Sequence, residues 1–170
     1  NKQIDKIIKE NNKYIIKCLE KVKNKNIKKS NFYYLGSLYN IILLSDIDEL
    51  AIKGDYIYTK DEKMLDDWLK QEIKRLFKER LYVYYHEFEE DIPYPKLKLR
   101  KMKTRWGVCN KKDMSITLNT ELIRYDISAL DYVIVHELSH FIYFNHSKFF
   151  WELVSKYCPN YKLIRKSLKE

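Results

Sequence analysis

Apolar positions along this chain recur with two different periods. In residues 2–23, Ile4, Ile7, Ile8, Ile15, Cys18, Leu19 and Val22 fall at helical spacing, with lysines on the other face. This predicts an N-terminal helix. The polar, basic connector from Lys23 to Ser30 then marks a boundary. Residues 32–59 change to strand signals: Phe32 to Leu35 before Gly36, Leu38 to Leu44, Glu49 to Ile52, a Lys53-Gly54-Asp55 turn, and Tyr56 to Thr59. From Asp61 to about Glu87 the helical period returns, with Met64, Leu65, Trp68, Leu69, Leu76, Phe77 and Leu81 on one side. Pro93-Tyr94-Pro95 is a stiff connector.

Lys96 to Arg100 then alternates strictly, which predicts a half-buried strand with a basic outer face. That face would either attract phosphates or an acidic substrate, or guard a sheet edge with lysine. Trp106-Gly107 and Asn110 to Asp113 bracket a hairpin whose second strand is Met114 to Leu118. The run Leu130 to Val135 reads as a helix buried under a sheet, with Ser128 as N-cap and Asp131 completing a capping box. A further helix begins at Ser147 and ends at Pro159.

The buried helix carries the chain's most specific chemistry. His136-Glu137-Leu138-Ser139-His140, followed by His146, gathers three of the four histidines into eleven positions. His136 and His140 are one turn apart and differ by roughly 40° around a helix, so both rings reach one point. Glu137 is rotated by about 100° from His136 and is suited to contact a water on the ion rather than to ligate it. His146 would lie on the far side of a continuous helix, so the chain must stop and turn first. Asn145 suits such a stop through the left-handed conformation. The set is that of a catalytic zinc site, His136, His140 and His146 with Glu137 as general base, although another divalent transition metal would fit. A metzincin is disfavoured, because Tyr143 stands where that group has glycine and no methionine follows Met114.

The segments Arg100 to Cys109, Ile116 to Asn119, Asp131 to His140 and Asn145 to Trp151 closely resemble the YgjP-like metallopeptidase family, related to the SprT and WLM metalloproteases. Tyr34-Leu35-Gly36, Gly54-Asp55-Tyr56 and Trp68 extend the resemblance over roughly residues 32–165. Ser139 departs from relatives that have cysteine, at a position that is not a ligand. The resemblance implies an α+β, zincin-like fold with a small antiparallel sheet packed on the metal-binding helix. It also implies His136, His140 and His146 as metal ligands and Glu137 as catalytic acid/base. The expected organisation is a basic helical extension over 1–30 and one metallopeptidase domain over 31–170. Within that domain, 31–95 supplies strands and the long helix, and 96–170 the catalytic part.

Composition adds boundaries. The 45% hydrophobic and 15% aromatic content is ample for a packed core. No apolar run reaches the length of a membrane span, and no signal peptide is visible, so a cytoplasmic location without membrane partners is expected. Cys18, Cys109 and Cys158 are odd in number and widely spaced, which argues for reduced thiols; Cys109 reads as a core residue. The net charge of +9 divides into +7 over residues 1–30, −6 over 31–95 and +8 over 96–170, so no uniform nucleic-acid-binding character follows.

Three functions fit these observations. The first is a zinc peptidase acting on peptides or proteins, with the strand Ser115 to Asn119 pairing to an extended substrate. The second is a metal-dependent hydrolase of a nucleoside triphosphate, its phosphates held by Lys96, Lys98 and Arg100. The third is a nucleic-acid-associated protease of SprT/WLM type, targeted by the basic N-terminal helix. Tyr143, Arg105 and Tyr125 are candidate oxyanion donors by chemistry alone. His86 reads as an exposed or locally bonded side chain.

Overall fold

Residues 32–168 are described in the computed structural model; the expected N-terminal helix and its basic connector lie outside them. Two units are present. One is built on Tyr39–Leu65; the other takes Tyr33–Leu38 and the chain from Asp66 onward.

Strand β1 is Phe32–Tyr34 and β2 is Ser37–Leu43. Leu35 and Gly36 join them at φ 47 and φ 80, and a Cβ on Gly36 would come within 3.0 Å of the Asp126 backbone. Glycine is required there on both counts. In the first unit, β3 (Ala51–Lys53) and β4 (Tyr56–Thr59) form an antiparallel pair about Gly54, while β4 runs parallel to β2. Ile42, Ile57 and Thr59 are buried there.

Helix α1 (Glu62–Glu87) carries the long helical period, and its Ile73, Leu76, Phe77 and Leu81 enter the core of the second unit. That unit's sheet comprises β5 (Lys96–Arg100), β6 (Gly107–Asn110) and β7 (Ser115–Asn119). A 3-10 turn at Thr120–Arg124 leads into α2 (Ile127–Ser139), which is followed by α3 (Lys148–Tyr157) and α4 (Tyr161–Ser167). The architecture is α+β, with α2 buried as the apolar run required.

The sheet corrects two expectations. Its order is β5-β7-β6, with β5 parallel to β7 and β6 antiparallel to it, so it is mixed rather than wholly antiparallel. The crossover from β5 to β6 makes this possible. Buried Asn119 ties that loop down, donating from Nδ2 to the Met102 and Arg105 carbonyls at 2.9 and 2.8 Å. Strand β7 is therefore central, with backbone partners on both sides, and has no free edge for a substrate.

The helix start also differs. Asp126, not Ser128, is the N-cap: its carboxylate accepts from the Ser128 N–H at 2.9 Å and from the Ser128 hydroxyl at 2.6 Å. Asp131 is not part of a capping box. It accepts a two-bonded contact from Arg80, at 2.7 and 2.8 Å, and so fastens α2 to α1. The other helix stop behaves as expected, with the Ser147 hydroxyl capping α3 and Pro159 following its end.

Candidate metal centre

Helix α2 presents His136 and His140 on one face, their ring centroids 4.9 Å apart. It closes at His140, where the Phe141, Ile142 and Tyr143 N–H groups bond back to Leu138 and Ser139 carbonyls. This tight turn brings His146 back to the site. Asn145 does not take the left-handed conformation expected of it: among the described non-glycine residues only Leu35 and Met114 have positive φ. The backbone bonds to Leu138 and Ser139 carry the stop instead.

One nitrogen from each of His136, His140 and His146 lies within 4.8 Å of the others. His136 Nε2 and His146 Nε2 face each other at 3.1 Å. Two lone-pair nitrogens at that separation repel unless a proton or a cation lies between them. Nitrogens bound tetrahedrally to one zinc at about 2.05 Å stand roughly 3.3 Å apart, so the spacing fits a shared ion. The Nδ1 of His140 lies 3.1 Å from the Tyr143 carbonyl, which only accepts, so the proton sits on Nδ1 and Nε2 is left with its lone pair. Buried Phe150 supports all three rings, with centroids 4.9, 4.7 and 4.8 Å from those of His136, His140 and His146.

Electrostatics agree with a metal-ready set. Burial pushes the His136 pKa down to about 3, helped by the neighbouring imidazoles and Arg165; burial also lowers those of His140 and His146. Neutral imidazole is the ligating form. Burial pushes the Glu137 carboxyl up to about 8, against the opposing pull of the Cys109 backbone N–H and Arg105. Glu137 packs directly on Gly107, where a Cβ would fall 2.4 Å from Oε1.

Two cavities share His136 and Glu137. A groove of about 620 Å³ runs beside β6 from Gly107 to Lys112 and takes in all three histidines and Phe144. A smaller cavity of about 250 Å³ lies between Arg105, Trp106, Tyr132 and Arg165.

The sequence profile of the YgjP-like metallopeptidase domain matches residues 1–170. The chain belongs to the YgjP-like family. No curated protein matches it. Two solved metallopeptidase zymogens are similar to the YgjP-like chain. Abylysin of Pyrococcus abyssi is 23% identical, covering 56% of this chain and 90% of its own, with a TM-score of 0.45. Jannalysin of Methanocaldococcus jannaschii is 25% identical, covering 56% and 96%, with a TM-score of 0.40.

The remaining candidates divide. Of the three possible oxyanion donors, only Arg105 lines the cavities of the YgjP-like site. The Tyr143 ring stacks on Phe149, and Tyr125 packs edge-on against Trp106. Lys96, Lys98 and Arg100 line neither cavity, and Lys96 and Lys98 pair with Asp113. His86 is exposed between Tyr82 and Tyr85. Cys109 is half-buried and lines the groove rather than the core; burial and Glu137 raise its thiol to about 11, which makes it a poor nucleophile. Gly107 and Arg165 were not anticipated as site residues. A glycine inside a strand signals close approach of another group, so Gly107 could have been found; Arg165 has no local signature.

The folded Glu137 titrates near 8 against 4.5 as its ordinary value, so the folded chain holds an extra proton between these limits and loses stability as pH rises. His136 acts in the opposite sense, because its folded pKa is depressed, but only below 6.5. With metal chelated, stability should therefore fall by up to about 2 kcal/mol between pH 6.5 and 8. Glu137→Gln should flatten that slope in urea denaturation; an unchanged slope would assign it to other groups.

Proposed function

We propose that this domain is a zinc peptidase in which His136, His140 and His146 hold the ion and Glu137 serves as general acid and base. The observation that carries the reading is the convergence of three imidazoles and the buried Glu137 side chain on a single groove. Held by those three imidazoles, zinc would supply an acidified water and polarise the scissile carbonyl. Glu137 would take a proton from the attacking water and pass it to the leaving amine. Strand β6 is the free edge that flanks the groove, so an extended peptide pairs with β6 rather than with β7. No helix among the described residues is long and apolar enough to cross a membrane. Cys109 and Cys158 are free, consistent with work in the reducing cytoplasm.

Elemental mass spectrometry tests the centre. Wild type should carry about one zinc per chain and cleave a casein-type substrate, while His140→Ala should lose both the metal and the activity. Absence of metal from wild type supplemented with zinc would overturn the reading.

A further inference from the structure

The two cavities beside the candidate centre differ in size and charge in a way that bears on which peptides enter. The groove along β6 has about 620 Å³, room for several residues of an extended chain. The other cavity, at about 250 Å³, lies below the usual ligand-pocket range of roughly 300–1,000 Å³ and suits a single residue. Arg105 and Arg165 both line the smaller one. Neither has an ion-pair partner among the described residues, whereas Arg75, Arg80 and Arg124 of this unit each do. Glu137 is the only carboxylate lining either cavity, and the proton transfers proposed above occupy it.

The backbone of Arg105 is fixed, its carbonyl accepting from Asn119 Nδ2 at 2.8 Å. The Arg165 guanidinium lies 4.8 Å from the centre of the Trp151 ring, and that ring in turn stacks on His146 at 5.4 Å. The indole N–H of Trp106 donates to the Leu168 carbonyl at 3.0 Å, so the wall of the cavity joins the β6 side to the C-terminal helix.

We infer that this two-arginine cavity is a carboxylate subsite, and that it takes the C-terminal α-carboxylate of a peptide whose upstream residues lie along β6. The inference rests on the peptidase reading for its consequence, removal of residues from the C-terminus. Planar guanidinium forks bind carboxylates with two parallel hydrogen bonds, which a pair of lysines would not reproduce. At about 250 Å³, the cavity beside Glu137 matches one residue rather than a run of extended chain, which favours a chain end there. An acidic side chain offers the same group, but the chain carrying it would have to continue past the cavity. In the reaction, the last amide bond breaks, the water oxygen joins the acyl carbon, and the water protons end on the new carboxyl and on the amine of the released amino acid.

Binding separates this inference from the chemistry. An N-terminally labelled octapeptide is presented to the chelated full chain as the free acid and as the C-terminal amide, with fluorescence anisotropy as readout. The free acid is expected to bind about tenfold or more tightly, and the preference should vanish in Arg105→Gln/Arg165→Gln, whose altered side chains are exposed and not part of the core. Mass spectrometry of the zinc-loaded chain should show single residues lost from the free acid and none from the amide. Equal affinity for the two peptides, a preference that survives the double substitution, or no binding up to millimolar concentration would overturn the subsite. An amidated peptide with an internal glutamate that binds as well as the free acid would overturn the terminal assignment, as would a nucleoside triphosphate that displaces the peptide through the same arginines. A retained acid preference without any cleavage would count against the peptidase reading and leave the subsite standing.

Discussion

Gly107→Ala is expected to reduce peptide cleavage by roughly a hundredfold or more while leaving metal content unchanged. The added Cβ would stand 2.4 Å from Glu137 Oε1, 2.7 Å from Cγ and 2.8 Å from Cδ. Contacts that short do not persist, so one partner must move. The glycine sits in β6, whose backbone is paired with Leu118 of β7, and Leu118 is fully buried. The strand is therefore the stiffer partner, and the Glu137 carboxylate is the group displaced. Glu137 is itself only 5% exposed and has little free volume to retreat into. A carboxylate moved by an ångström loses its alignment with the attacking water, and general acid–base catalysis is worth about 10²–10⁴ in rate. The histidines do not touch Gly107 in this way, so zinc should stay. The informative measurement is kcat against KM, alongside zinc per chain. A fall confined to kcat with full zinc supports the positioning role. Loss of zinc together with activity would show instead that the substitution disrupts α2, and unchanged kcat would show that Glu137 accommodates the methyl group.

That prediction marks the boundary of what the sequence made legible. The strands and helices of residues 32–168 were readable because each is a local pattern: strict alternation in Lys96–Arg100, helical period in Glu62–Glu87, an apolar run in α2. The pairing of His136 with His140 was readable because they are one turn apart whatever surrounds them. What failed was long-range. The hairpin joining β6 to β7 is written in its turn residues, but nothing local tells β5 to take the other side of β7, and that choice moves the free edge to β6. Asp126 and Ser128 are both good capping residues; Asp131 was free to leave the cap because Arg80, 51 positions upstream, claims it. Asn145 has the right chemistry for a left-handed stop, yet the backbone bonds that follow His140 had already ended the helix. Arg165 reaches the site only through the packing of α4 against Trp151.

The second large effect is expected from Phe150→Ala, and it is structural before it is chemical. Phe150 is fully buried at the start of α3, immediately after the loop that returns His146. Its ring lies within 4.9 Å of the centroids of all three histidines and at 5.0 Å from Trp151. Truncation to alanine leaves a void that the flanking helices cannot fill, and such deletions cost about 3–5 kcal/mol. The same void removes the surface against which the imidazoles are oriented. His140 keeps its Tyr143 carbonyl, but the Nδ1 of His136 has no hydrogen-bond partner among the described residues, so packing alone holds that ring. Zinc affinity should therefore fall by about 10–100-fold, the range seen when the support of a metal-bound histidine is lost. Urea denaturation of the chelated chain reads the first effect and competition with a zinc indicator reads the second. Phe150→Leu distinguishes them: it restores most of the volume and thus most of the stability, but offers no flat ring to the histidines. If Phe150→Leu regains stability and not affinity, orientation of the imidazoles is a separate contribution of this side chain. If both return together, Phe150 acts through volume alone.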